Sequence, residues 1–136
     1  MRQFVSAGTP WGDIVGYSRA VRAGNLIFVS GTTATGPEGT VLHPNQPGPQ
    51  ARVIFERIGA ALKALGASLN DVVETRIYIC DIQQWEAVGR VHGEVFQTAR
   101  PATAMVEVSR LIDPAIAVEI SAIAVAPTSA PAPTPG

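Results

Sequence analysis

An acidic residue stands inside an otherwise apolar stretch near the end of the chain: Ala117-Val118-Glu119-Ile120. A carboxylate held among apolar neighbours resists ionisation. Its pKa rises, and it can exchange protons with a bound water near neutral pH. The plainer reading of Glu119 is a side chain turned to solvent, or paired with an arginine across a sheet. His92 is a second candidate, one helical turn from Val88 and Phe96. Imidazole changes charge near neutral pH and can shuttle a proton; its plainer reading is a partly buried histidine with a backbone or carboxylate partner. Cys80, the only cysteine, closes a strand-like run and reads as a small buried apolar residue. His43 and His92 lie far apart, and no Cys/His cluster has metal-ligand spacing, so no metal is expected.

These residues must be carried by regular elements, and the pattern supplies them. Residues 17–22 alternate as a half-buried strand does. Ala23-Gly24-Asn25 is a turn, and Leu26 to Ser30 is a branched apolar run, so the three form a hairpin. Gly31 to Pro49 reads as a long loop with a short extra strand near Thr40-Val41-Leu42. Across 50–65, Val53, Phe55, Ile58, Ala61, Leu62 and Leu65 recur at helical spacing, with Pro49 at the first turn and Gly66 at the C-cap. Val72 to Cys80 has period two, with Val73, Thr75, Ile77 and Ile79 on one face. Asp81 and Gln84 make a weak capping box for a second helix, whose stripe is Trp85, Val88, Val91, His92, Val95 and Phe96. Gly89 and Gly93 weaken that helix or admit a close neighbour. Trp85 reads as a core or interface anchor. Strands follow at 103–108 and 117–126, joined by a loop containing Asp113-Pro114.

The order β-β-α-β-α-β-β predicts a two-layer α+β sandwich, a mixed sheet with two helices on one face. Its strands are apolar on both sides, so the uncovered face calls for a second copy of the chain. Charged residues are only 15% against 46% hydrophobic, which points the same way. A length of 136 residues suits one domain, taken as 1–126, with 127–136 a disordered Pro/Ala-rich tail. Net charge is −1 and no basic run occurs, so a nucleic-acid partner has no electrostatic footprint. No stretch approaches the roughly 20 apolar residues of a membrane span, and the N-terminus lacks a secretory core. A lone cysteine fits a reducing cytoplasm.

Several stretches, taken in order, resemble the RidA (YjgF) family. They are Gly16-Tyr17-Ser18-Arg19-Ala20 with Gly24-Asn25, Val29-Ser30-Gly31, Leu69-Asn70-Asp71-Val72-Val73 with Arg76-Ile77-Tyr78-Ile79, and Val95-Phe96. Arg100-Pro101-Ala102-Thr103-Ala104-Met105-Val106-Glu107-Val108 with Val118-Glu119-Ile120 completes the set. The match spans roughly 10–126. The resemblance implies a chorismate-mutase-like fold and a homotrimer whose sheets form a central barrel, with clefts between subunits. It also implies cofactor-free hydrolysis of reactive enamines or imines, such as 2-aminoacrylate, to a carbonyl compound and ammonia. Some members act on 2-aminomuconate or 3-aminoacrylate, and others were named endoribonucleases. For this chain an endoribonuclease ranks low, because it has no basic patch or stacking platform and only 6% aromatic residues.

Carried over position by position, Tyr17, Ser30, Gly31 and Glu119 match the cleft lining, with Glu119 as the acid that holds the attacking water. Met105 matches a position whose backbone helps hold that water. Two positions depart. Gly89 stands where a polar asparagine is common, and Thr103 stands where an arginine grips the substrate carboxylate. A threonine hydroxyl offers one neutral hydrogen bond worth about 0.5–1.5 kcal/mol, not a bidentate charged clamp. Small 2-imino acids should therefore bind poorly unless Arg19 or Arg100 serves. The plainer reading makes both arginines surface or interface residues. The expected function is a RidA-like hydrolase with an altered substrate. The alternative is a trimer that kept the cleft for binding or regulation and lost catalysis.

Overall fold

The structure, a computed structural model, describes residues 2–127. Six strands form one sheet in the order β1-β2-β3-β6-β4-β5. They are β1 (Arg2–Val5), β2 (Ala20–Ala23), β3 (Leu26–Thr32), β4 (Val72–Ile79), β5 (Ala102–Glu107) and β6 (Val118–Val125). The helices are α1 (Trp11–Val15), α2 (Pro47–Ala64) and α3 (Trp85–Val95). Only β4 and β5 pair in parallel, as a β-α-β crossover through α3 requires; the other pairs are antiparallel. The mixed α+β sheet with two long helices on one face is the expected architecture.

The core lies between the sheet and α2/α3. Ile54, Phe55, Ile58 and Leu62 of α2 and Val88, Val91 and Phe96 from the α3 region pack on Ile27, Val29, Ile77, Ile79, Val118 and Ile120. Period two sends the alternate residues to the other face, which no long helix covers. Leu26, Phe28, Val106 and Val125 are each 42–47% exposed on strands of that sheet.

Several boundaries differ from the sequence pattern. α2 begins at Pro47, three residues early, because Pro47 and Gly48 are already buried and proline suits a first turn. Gly66, at φ +85°, closes the helix as expected, with the Ala67 N–H donating to the Leu62 carbonyl at 2.9 Å. β1 and α1 left no readable pattern: β1 is a four-residue edge strand, mostly exposed, and α1 buries nothing. The expected extra strand near residues 40–42 is a single bridge, Thr35 to Val41.

Tyr17 is not in a strand. It follows the left-handed C-cap Gly16, and pairing starts at Ala20. A register shift between Val72 and Glu74 puts Val72 rather than Val73 into the core. Trp85 is 55% exposed and lies along Gly89 of its own helix, so it is no core anchor. Cys80 is half-buried rather than buried, its Sγ 3.5 Å from the Ile116 carbonyl. The tail expected at 127–136 lies, beyond Pro127, outside the described residues.

Candidate functional site

Glu119 sits on β6 opposite Tyr78 of β4. Its neighbours Val118 and Ile120 are fully buried against the helices, so alternation directs the carboxylate to the uncovered face. There it hangs over Gly31, at a bulge between Val29 and Thr32 in β3. A β-carbon added at Gly31 would lie 3.0 Å from the Glu119 carboxyl carbon and nearer still to Oε2. Only glycine leaves room for this placement. Burial pushes the half-buried carboxyl above its ordinary value of 4.5, and the positive charge of Arg19 partly opposes this. No ion pair among the described residues includes Glu119, so the cross-sheet pairing with arginine is not found.

Backbone bonds draw the other residues of this end together. The Ser30 N–H donates to the Arg19 carbonyl at 2.9 Å, and Ser30 Oγ donates to the Ser18 carbonyl at 2.7 Å, next to Tyr17. Arg19 Nη1 donates to the Gly31 carbonyl and to Thr32 Oγ1, both at 3.2 Å. Arg19, Ser30, Gly31 and Glu119 thus form one cluster, and Arg19 is part of it rather than a plain surface residue. Tyr17 is 37% exposed beside it.

One buried side chain that the sequence pattern did not single out fixes the approach to β6. Gln50 has no exposed surface, yet every polar atom is used. Its Nε2 donates to the carbonyls of His43 and Ala115 at 2.9 Å and of Leu42 at 3.3 Å, and its Oε1 accepts from the Ala117 N–H at 2.8 Å. Ala117 stands two residues before Glu119, so α2 sets where β6 begins. A glutamine one and two turns before Ile54 and Ile58, on the apolar row of α2, was the available signal.

Thr103, Met105, His92 and Arg100 form a second group. Thr103 pairs with Thr75, and Met105 with Ile77. Thr75 and Ile77 are core residues, so both partners point to the helix-covered face, away from Glu119. Met105 packs against the core. Thr75 Oγ1 lies 2.9 Å from His92 Nε2 and donates to Thr103 Oγ1 at 2.7 Å. This chain of hydroxyls ends on the imidazole, so the partner of His92 is a threonine rather than a backbone or carboxylate group. The Phe55 and Phe96 rings stand 5.7 and 4.6 Å from the imidazole centre. Burial lowers its pKa below 6.5, and the ring is neutral at pH 7. Thr75, a polar residue in an inward-facing apolar row, was the overlooked link. Arg100 lines a shallow cleft with His92, but its Nε donates to the Gln97 carbonyl at 3.2 Å. Within one chain, Glu119 and Thr103 therefore stand on opposite faces of the sheet. Among the described residues no group of three or more His, Cys, Asp or Glu could hold a metal, and no helix is long and apolar enough to cross a membrane.

The family model described as Endoribonuclease L-PSP matches residues 11–126. A crystal structure of a Mycobacterium tuberculosis member of the YjgF/YER057c/UK114 family is 46% identical, with a TM-score of 0.83. The match covers 92% of this chain and 99% of that one. A RutC family protein of Pyrococcus horikoshii is 37% identical over 108 residues, 79% of this chain and 85% of the relative. The 3-aminoacrylate deaminase RutC of Acinetobacter baylyi is 32% identical over 117 residues, 86% of this chain and 91% of the relative. Fold, matched length and these relatives agree: the chain belongs to the YjgF/RidA family.

Proposed function

We propose that the protein hydrolyses a reactive enamine or imine to its carbonyl compound and ammonia, with Glu119 managing the water. The observation that carries this reading is the half-buried carboxylate of Glu119, seated over Gly31 with its pKa raised by burial. The water oxygen adds to the carbon of the C=N bond, and Glu119 takes the proton the water gives up. It passes that proton to the nitrogen of the carbinolamine and, as the C–N bond breaks, takes up the hydroxyl proton, leaving C=O and releasing ammonia. A pKa lifted towards neutrality suits a group that must both accept and return a proton. The Acinetobacter baylyi relative, a 3-aminoacrylate deaminase by name, supports this class of reaction.

The cleft is proposed to form between subunits of a homotrimer. The apolar uncovered face, with Phe28 44% exposed, supports burial against further copies. Thr103 and Met105 point away from Glu119, so a cleft holding all three draws them from two subunits. With Thr103 in place of an arginine, the preferred substrate is bulkier than the small 2-imino acids or lacks their α-carboxylate. Tyr17, Ser30 and Gly31 shape the pocket.

The test couples ammonia release to a chromogenic reaction, using 2-iminopropionate, 2-aminomuconate and 3-aminoacrylate, with Glu119→Ala as control. Light scattering reports the oligomer. Turnover of one of the larger imines, lost in Glu119→Ala, is expected. Full activity in the variant, or none on any imine, overturns the reading. Thr103 also favours a second one, a trimer that binds a ligand without catalysis. A ligand retained unchanged after long incubation would establish that alternative.

A further inference from the structure

The N-terminal segment, the loop after β3 and α2 line an open cavity of about 430 Å³. Its wall carries two cations, Arg19 and Arg57, and hydroxyls that include Thr9, Thr33 and Thr35. No acidic side chain lines it, and neither arginine has an ion-pair partner among the described residues. Glu119 lies outside the lining.

We propose that this cavity binds a small oxyanion, a phosphoryl or carboxylate group, between Arg19 and Arg57. The donor inventory supports it. A guanidinium carries five N–H donors. Arg57 has one bond, from Nη1 to the Thr33 carbonyl at 2.9 Å, and Arg19 uses only Nη1. The remaining Nε and Nη2 groups of both side chains have no acceptor among the described residues. The two like charges line the same cavity and act on each other. Burial and the charge of Arg19 both lower the pKa of Arg57, while Glu56 opposes this weakly. Two neighbouring cations with no direct ion-pair partner among the described residues repel each other, and an anion between them relieves that repulsion. Planar guanidinium forks match the oxygens of a phosphoryl or carboxylate group. The inference does not depend on the hydrolase reading, because neither Glu119 nor Thr103 takes part.

The full chain is titrated with inorganic phosphate and with malonate by calorimetry and thermal melting, against chloride at matched ionic strength. Saturable binding of either anion is expected, and which one binds tells phosphoryl from carboxylate. Arg57→Gln should weaken it about tenfold or more, as loss of a charge-assisted contact does, and Arg57→Lys should weaken it less. Ala60→Glu places a carboxylate at the cavity wall on an exposed helical position, where folding is safe. It should abolish anion binding. Equal stabilisation by chloride, or undiminished binding in either Arg57→Gln or Ala60→Glu, overturns the proposal.

Discussion

Replacing Gly31 by alanine tests the proposed water-holding role of Glu119 without touching Glu119 itself. The backbone at Gly31 is not in the left-handed region, so alanine adds one methyl group and no φ strain. That methyl would stand 3.0 Å from the carboxyl carbon, against about 3.4 Å for ordinary contact, and closer to Oε2. The carboxylate must retreat by roughly 1 Å, a displacement of a catalytic group that costs about 10²-fold in rate. That corresponds to about 2.7 kcal/mol of transition-state stabilisation. Stability should change little. Overpacking costs about 1–3 kcal/mol in a rigid core, but here the neighbour is the free end of a flexible side chain. Alanine also recovers about 0.4–1 kcal/mol by restricting the unfolded chain. Steady-state ammonia release and a thermal melt of the same preparation separate the two effects. A large fall in kcat/KM with a nearly unchanged melt is expected. Wild-type kcat/KM in a folded Gly31→Ala would mean that the carboxylate position does not matter, and the role assigned to Glu119 would fail with it.

Other expectations follow from the same geometry. Gln50→Leu removes the partners of the Ala117 N–H and of the His43 and Ala115 carbonyls, so it should cost about 3 kcal/mol or more in denaturant unfolding; an unchanged midpoint would refute the account of the β6 anchor. Glu119→Gln should abolish turnover yet stabilise the fold at pH 7. The raised native pKa means that the folded state holds its proton longer than the unfolded one, so the contribution of Glu119 is present below about 4.5 and is lost as pH rises through the native value. A variant less stable than wild type at pH 7 would contradict that sign. Thr75→Val breaks the link between His92 and Thr103 and strands one imidazole nitrogen, and a loss of about 1–3 kcal/mol in unfolding experiments is expected.

Much of the fold was legible because its signals are local. The 3.6-residue spacing of Phe55, Ile58, Ala61 and Leu62, the alternation around Ile77 and Ile79, and Gly66 at a C-cap each follow from short-range geometry. The misses share a physical cause. A bulge exchanges Val72 for Val73 by one residue, and nothing in a run of two valines tells which turns inward. β1 and α1 bury almost nothing, so no periodicity marks them. In the site, Glu119 stood out as an isolated charge in an apolar strand. Gln50, Thr75 and Arg57 did not, because their roles depend on partners 17 to 67 residues away in sequence.

The two faces of the sheet constrain any mechanism more tightly than the list of candidate residues does. Alternation within β6 and pairing across β4 to β5 fix Glu119 and Thr103 on opposite sides, and no rotamer carries a threonine hydroxyl through a hydrogen-bonded sheet. If both line one pocket, the second must come from another copy whose β5 edge lies against the uncovered face. On the proposed trimer reading, Thr103 would then act across an interface. The Thr103 hydroxyl is already tied through Thr75 to a neutral imidazole, so it presents a hydrogen-bonding polarity to the cleft rather than a charge. Such a wall suits a carbonyl, amide or hydroxyl on the substrate and gives a carboxylate no counter-ion. On the proposed reading, substrate choice would turn on what a neighbouring subunit offers to an imine held over Gly31.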